Sequence, residues 1–127
     1  MSGVIGQCIP LRFEELSDAR VVMTMPVDAR VHQPMGILHG GASLVLAESA
    51  ASTGAMRNCP EGMMAVGQEI NANHIRAKRD GTLRAVAVPL HIGRTSQVWS
   101  VEIRDEADKL VCISRMTLAV VPRPPVA

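Results

Sequence analysis

Aromatic side chains are nearly missing from this 127-residue sequence: there is no Tyr, and Phe13 and Trp99 stand alone. A core with so few aromatics has to be built from Val, Ala, Leu, Ile and the eight Met. Met serves either as ordinary filler or as a wall that repacks around ligands, because its unbranched thioether adapts its shape. An excess of one charge is missing too, with thirteen basic against twelve acidic residues and a formal net charge of +1. That balance supplies no global field for nucleic acid or a membrane surface, so any anionic partner must be held locally. No apolar run approaches the roughly 18 residues that a membrane span requires. The opening MSGVIGQCIPLRFEEL also lacks a basic segment followed by a long apolar one, so a soluble, unexported, cytoplasmic protein is expected. Three cysteines, Cys8, Cys59 and Cys112, are odd in number and form no C-x-x-C pair, which fits reduced thiols and not a disulfide framework.

The length suits one hydrophobic core and is too short for two, so a single domain over 1–127 is expected. IPLRFEEL and ARVVMTMPV read as two extended stretches joined through the polar break Ser17-Asp18-Ala19, an opening hairpin. VDARVHQPMGILHGG then carries Pro34, Gly36 and the Gly40-Gly41 pair, an irregular loop that delivers the chain to a helix start. A helix is expected from about Gly41 to Asn58. Its interior, ASLVLAESAASTGAM, holds no Pro and is small or apolar on every side, which predicts burial all round.

Four further strands follow. MAVGQEINANHIRA is expected to meet TLRAVAVPLHI across the Asp80-Gly81 turn; TSQVWSVEIRD and KLVCISRMTLAVV come after the connections at 91–94 and 105–108. In TSQVWSVEIRD, Gln97, Trp99, Val101 and Ile103 fall on one face and Ser100, Glu102 and Arg104 on the other, the period of a half-buried strand. Pro122, Pro124 and Pro125 block pairing beyond that point. Strands that do not alternate with helices exclude a doubly wound sheet and leave an α+β fold, one long central helix wrapped by a curved antiparallel sheet of about six strands. A second copy of the chain would cover the helix's remaining side in a dimer.

The first amide N–H groups of a helix have no partner within it and favour negative charge. At Gly40-Gly41 the glycines admit a reacting carbonyl oxygen close to those donors, or they form no more than a tight turn into the helix. Glu48 is the one carboxylate in an apolar run, and burying it is costly unless it is paired. Two readings stand: a general base or nucleophile in a dry pocket, with the Ser52 hydroxyl one turn away as donor, or a structural ion pair with a residue such as Arg57. Eight residues of helix separate Gly40 from Glu48 by roughly 12 Å, so one chain does not easily bring both to one carbonyl. Two helices antiparallel about a twofold axis would place Glu48 of one beside Gly40 of the other.

His32, His39, His74 and His91 lack the paired spacing of a metal site, so no metal is expected. Ser43 is not a nucleophile elbow, since Val45 stands where that motif needs Gly; it is expected to satisfy amides of the first helical turn. Arg76, Lys78 and Arg79 cluster near a strand end, and Arg94 sits in another connection. They form either a solvated surface or a local phosphate site.

Taken together, Gln33-Pro34, His39-Gly40-Gly41, Glu48, EINANHIRA, PLHIGRTSQVW and SRMTLAVV resemble the hotdog-fold acyl-CoA thioesterases. The likeness spans residues 11 to 121 and lies in the branch that hydrolyses 4-hydroxybenzoyl-CoA and 1,4-dihydroxy-2-naphthoyl-CoA. It implies a helix wrapped in an antiparallel sheet, a homodimer often doubled to a homotetramer, and active sites at the dimer interface. It also implies that Glu48 is the catalytic carboxylate, the Gly40 amide the donor to the thioester oxygen, Gln33 and His39 the groups that orient substrate and water, and Ser52 a supporting hydroxyl. For the CoA portion it implies Gly41, Arg76 and the Gly93, Arg94, Thr95, Ser96 stretch. No cofactor is implied, since coenzyme A is part of the acyl-CoA substrate. No Asp stands at the helix entry, where another hotdog branch carries its acid, which supports the branch with the glutamate. The reading from another class is a non-catalytic acyl-CoA binding module in the same pocket; hydratase chemistry would need an acid-base pair at the helix entry that is not evident.

Overall fold

The structure is a computed structural model that describes residues 4–125. In chain order the elements are α1 (Val4–Cys8), β1 (Arg12–Leu16), β2 (Val21–Pro26), a 3-10 turn (Ala29–Val31), α2 (Gly40–Arg57), β3 (Met63–His74), β4 (Thr82–Ile92), β5 (Ser96–Arg104) and β6 (Leu110–Pro122). The strands form one antiparallel six-stranded sheet in the order β1-β2-β4-β5-β6-β3, and α2 packs against β2, β3, β4, β5 and β6. The expected α+β architecture of a long helix held by a curved antiparallel sheet is therefore present. Among the described residues no helix is long and apolar enough to cross a membrane.

Pleat periodicity explains the core. In β5 the side chains of Gln97, Trp99, Val101 and Ile103 are fully enclosed while the residues between them are half-exposed, as the alternation predicts. Leu83, Ala85 and Ala87 of β4 and Cys112, Met116 and Leu118 of β6 turn to the same side. Small residues on the inner face of α2, including Ala47, Ala50, Ala51, Gly54 and Ala55, let the helix settle onto this surface. At Gly54 the approach is so close that a Cβ would stand 2.4 Å from Trp99 Cη2. The Trp99 indole donates to Gln97 Oε1 at 2.8 Å, and Gln97 Nε2 donates to the Ala55 carbonyl at 3.1 Å. Both buried polar groups are thus satisfied, and they tie the C-terminal turn of α2 to β5.

One expected pairing does not occur. The segment before Asp80-Gly81 does not form a hairpin with β4; β3 lies beside β6, from Met63 opposite Pro122 to His74 opposite Cys112, at the far edge of the sheet. Residues 75–81 form a strap instead of a tight turn. The Ile75 and Arg76 amides donate to the Val111 carbonyl at 2.8 and 3.3 Å, Leu38 donates to the Lys78 carbonyl at 2.7 Å, and Val27 donates to the Gly81 carbonyl at 2.8 Å. Seven extended residues reach roughly 23 Å, while crossing two intervening strands takes about 14 Å. A connection of this length therefore does not force adjacency.

Helix α2 begins and ends one residue earlier than expected, with His39 as N-cap and Asn58 as C-cap. Nor is it buried all round within one chain. Leu44, Val45, Ser52, Thr53 and Met56 are half-exposed, and Glu48 is exposed.

Candidate active site

The helix entry is assembled by the loop after the 3-10 turn. His32 and Leu38 form a β-bridge, and the His39 amide donates to the Val31 carbonyl at 2.8 Å, which fixes where α2 starts. The His39 ring then caps the helix, its Nδ1 accepting the Gly41 amide at 2.8 Å. A neutral imidazole that accepts at Nδ1 carries its proton on Nε2, leaving that nitrogen as an outward donor. This cap occupies the Gly41 N–H, whereas the Gly40 N–H meets no acceptor among the described residues. A Cβ on Gly40 would stand 2.8 Å from His74 Nε2, the far end of an exposed side chain, so the glycine leaves room for that ring over the helix entry. Gln33 is anchored from both sides: its amide donates to the Ile37 carbonyl at 2.8 Å and its Oε1 accepts the Met35 amide, so the carboxamide NH2 is left to donate. Ser43, expected to satisfy first-turn amides, does not: its Oγ is buried without a partner, because His39 has taken the capping role.

Glu48 departs from expectation in one respect, being exposed within the single chain and not buried. It projects from a side of α2 that the sheet leaves open apart from Gly67 of β3, which lies against the carboxylate. Among the described residues it forms no salt bridge; Arg57, the ion-pair candidate, binds Asp18 at 3.3 Å. Nor does Ser52 donate to it; Ser52 lines the same cleft, and its hydroxyl meets no partner among the described residues. That cleft, about 440 Å³, is walled by Val45, Ser49, Ser52, Thr53 and Met56 of α2 and by Ile5 of α1. A smaller one of about 180 Å³ opens on the other side of Glu48, against Gly67, Gln68 and Met116.

The candidate residues fall into three groups within one chain. Gln33, His39, Gly40, Gly41 and Arg76 gather at the N-terminal end of α2, where Gly40 and Arg76 line one hollow with His74. Glu48 and Ser52 stand farther along the helix. Gly93, Arg94 and Thr95 form the β4–β5 connection and Ser96 opens β5, with the Gly93 amide donating to the Ser96 carbonyl at 2.8 Å. The next residue, Gln97, bonds Ala55 in the last turns of α2. An 18-residue helix is about 27 Å long. The Arg76 and Arg94 regions therefore lie at opposite ends of it and do not meet around one ligand in one chain.

The basic cluster divides as well. Arg76 and Arg79 are exposed, but Lys78 turns inward to Glu106 and Asp105. The bond to Glu106 raises the Lys78 pKa above its ordinary value, while the Lys109 amide, with help from Ala107 and Lys78, lowers that of Asp105.

Several site residues escaped the sequence reading. Gly67 sits at a bulge in β3, and a Cβ there would stand 3.0 Å from Glu48 Oε2 and 2.6 Å from Met116 Cε. An isolated glycine inside a strand pattern signals such close approach and was legible in principle. His74 packs over Gly40, and nothing in its spacing announces that. The five-residue α1, which brings Ile5 to the cleft, is too short to leave a periodic signal.

Residues 35–112 match the family model described as Thioesterase superfamily. The chain is 51% identical over 113 residues to the 1,4-dihydroxy-2-naphthoyl-CoA hydrolase of Escherichia coli K12, an alignment covering 88% of this chain and 82% of that one. It is 45% identical over 116 residues to the 1,4-dihydroxy-2-naphthoyl-CoA hydrolase of Listeria monocytogenes, covering 91% and 94%. Among solved structures, a thioesterase from Haemophilus influenzae superposes with a TM-score of 0.91 at 41% identity, covering 95% of this chain and 85% of that one.

Proposed function

Given that the chain belongs to the thioesterase superfamily and has its hotdog fold, we propose that it hydrolyses an acyl-CoA thioester to the free acid and coenzyme A, with Glu48 as the reacting carboxylate. The observation that carries this reading is the position of Glu48: an unpaired carboxylate on the wall of an apolar cleft, with an uncommitted hydroxyl, Ser52, one turn away. A module that only bound acyl-CoA would have no use for such a charge beside a thioester.

The chemistry has two routes. As nucleophile, Glu48 adds to the thioester carbonyl, CoA leaves as thiolate, and water hydrolyses the resulting anhydride. As base, it takes a proton from water while that water attacks. Both develop negative charge on the carbonyl oxygen, and an uncommitted helix N-terminal amide such as Gly40 stabilises it. His39 Nε2 and the Gln33 carboxamide are free to orient substrate and water.

Completion of the site calls for a second copy. β3 is an edge strand of twelve residues with one side unpaired, and edges of that length are normally covered. Antiparallel pairing of two α2 helices would bury Glu48, bring it to the partner's entry loop, and place the 93–96 connection of one chain near the Arg76 end of the other. On the outer sheet face, exposed Leu90 and Ile113 offer an apolar surface for doubling the dimer to a tetramer.

The acyl group is aryl or otherwise small. In support, the cleft of about 440 Å³ is walled by Ile5, Val45 and Met56, and relatives at 51% and 45% identity are named for a naphthoyl thioester. Thiol release across a panel of CoA esters is the test. Turnover that vanishes in Glu48→Gln supports the reading; tight binding of CoA esters without thiol release from any of them replaces the hydrolase with a binding module.

A further inference from the structure

Of the three cations on the strap, Lys78 is used differently from its neighbours. Its side chain is 13% exposed, and Nζ donates to Glu106 Oε1 at 3.0 Å and to Asp105 Oδ2 at 3.4 Å. Those carboxylates are themselves fixed. Asp105 Oδ1 accepts the Ala107 and Lys109 amides, each at 2.9 Å, and Glu106 Oε2 accepts the Thr82 amide at 3.1 Å. The ammonium is therefore fastened to a turn with little freedom to swing.

The backbone of the same residue faces the helix entry. The Lys78 carbonyl accepts the Leu38 amide at 2.7 Å, and the adjacent Arg79 carbonyl bonds His32 Nε2 at 2.7 Å. Leu38 and His32 are the bridge partners of the entry loop, and Leu38 runs directly into His39 and Gly40. A single hydrogen bond and two peptide units thus separate Lys78 from the Gly40 amide. A connector lysine ordinarily keeps its ammonium in water; this one is withdrawn from it.

Resting on the hydrolase reading above, we propose that Lys78 is a positioning residue: its ion pairs with Glu106 and Asp105 hold the strap, and through it the entry loop, so that the Gly40 N–H is aimed before substrate arrives. A donor to a developing oxyanion is effective only when it needs no reorganisation during reaction. Loosening the strap therefore acts on turnover and not on ground-state binding.

Lys78→Met keeps the stem and removes the charge. In the full-length protein, kcat for a CoA ester falls about tenfold, while KM stays within about twofold. Glu106→Gln gives a smaller loss of the same kind, and the double variant is no worse than Lys78→Met because the pair acts as one unit. The amide resonance of Gly40 shifts in Lys78→Met, while that of Gly62, in a remote turn, does not. Thermal unfolding and Trp99 fluorescence establish that the variants are folded; if Lys78→Met is not, Glu106→Gln carries the test. Unchanged kcat in a folded variant, or a kcat loss with the Gly40 resonance unmoved, overturns the proposal. Should the wild-type protein release thiol from no CoA ester, the fault lies with the hydrolase reading, and the Gly40 resonance alone decides the role of Lys78.

Discussion

Glu48 Oε2 lies 3.0 Å from the point where a side chain on Gly67 would begin. The carboxylate rests against bare backbone at the β3 bulge, so the strand limits where it can go without bonding to it. Gly67→Ala is expected to displace Glu48 and to lower kcat about tenfold, with little change in thermal midpoint because Gly67 is exposed at an edge strand. Met116 Cε, flexible at its far end, gives way first. Wild-type kcat in Gly67→Ala would mean the contact is incidental.

The separation of the helix entry from Glu48 leads to a mixing experiment. Glu48→Ala is expected to be inactive and Gly40→Ala strongly impaired, the second because a methyl there displaces the His74 ring and crowds the entry amide. Subunits exchanged at equal amounts regenerate one intact site in each mixed dimer, about a quarter of wild-type activity. Failure to recover any turnover, with exchange verified by mass spectrometry, would place both groups in one chain's site and defeat the trans arrangement.

Gly54 sets two effects against each other. Alanine in a helix interior is favoured over glycine by roughly 0.5–1 kcal/mol. The new methyl, however, would lie 2.4 Å from a ring that is fully buried and hydrogen-bonded through Nε1, and overpacking of that kind costs about 1–3 kcal/mol. The clash wins, so Gly54→Ala is expected to lower stability in urea unfolding followed by Trp99 fluorescence. An increase in stability would show that the indole can slide within the core.

The Lys78 group makes a prediction with a definite sign in pH. Glu106 lies below its ordinary 4.5, chiefly through its own backbone amide and then Lys78; Asp105 lies below its ordinary 3.8, and Lys78 above its ordinary 10.5. Depressed carboxylates stabilise the fold above their unfolded values and cease to do so as pH falls through the folded ones. The raised lysine stabilises below its unfolded value and loses that contribution only as pH rises through its folded one. The gap in thermal midpoint between wild type and Lys78→Met is expected to be full at neutral pH and to narrow in acid. A gap that persists undiminished in acid would assign it to packing of the lysine stem.

Much of this architecture was readable from local pattern. The run from Gly41 to Arg57 without Pro, the alternation from Gln97 to Ile103 and the polar turn at 105–108 each act through neighbours in the chain, and each appears where the pattern puts it. What escaped was decided by tertiary packing. The strap looks like a turn because Asp80-Gly81 favours one, yet its partners, Val111, Leu38 and Val27, are distant in sequence. Glu48 is recognisable as the misplaced charge, but Leu46, Ala47, Ala50 and Ala51 turn to the sheet while Glu48 does not, so the apolar character of the segment overstates its burial. Gly67 does leave a local signal, a lone glycine in an otherwise regular strand.

The sheet order also sets a timetable. β3 is made before β4, β5 and β6, yet among the described residues its one neighbour in the sheet is β6. Until that strand has been synthesised and has docked beside β5, the segment from Met63 to His74 has no ladder to join. Pairings this distant in sequence make folding slow, because loop closure precedes their reward. The floor under Glu48 can thus be laid only after β6 exists, and a nascent chain carries the carboxylate proposed to react well before there is a paired strand to receive it.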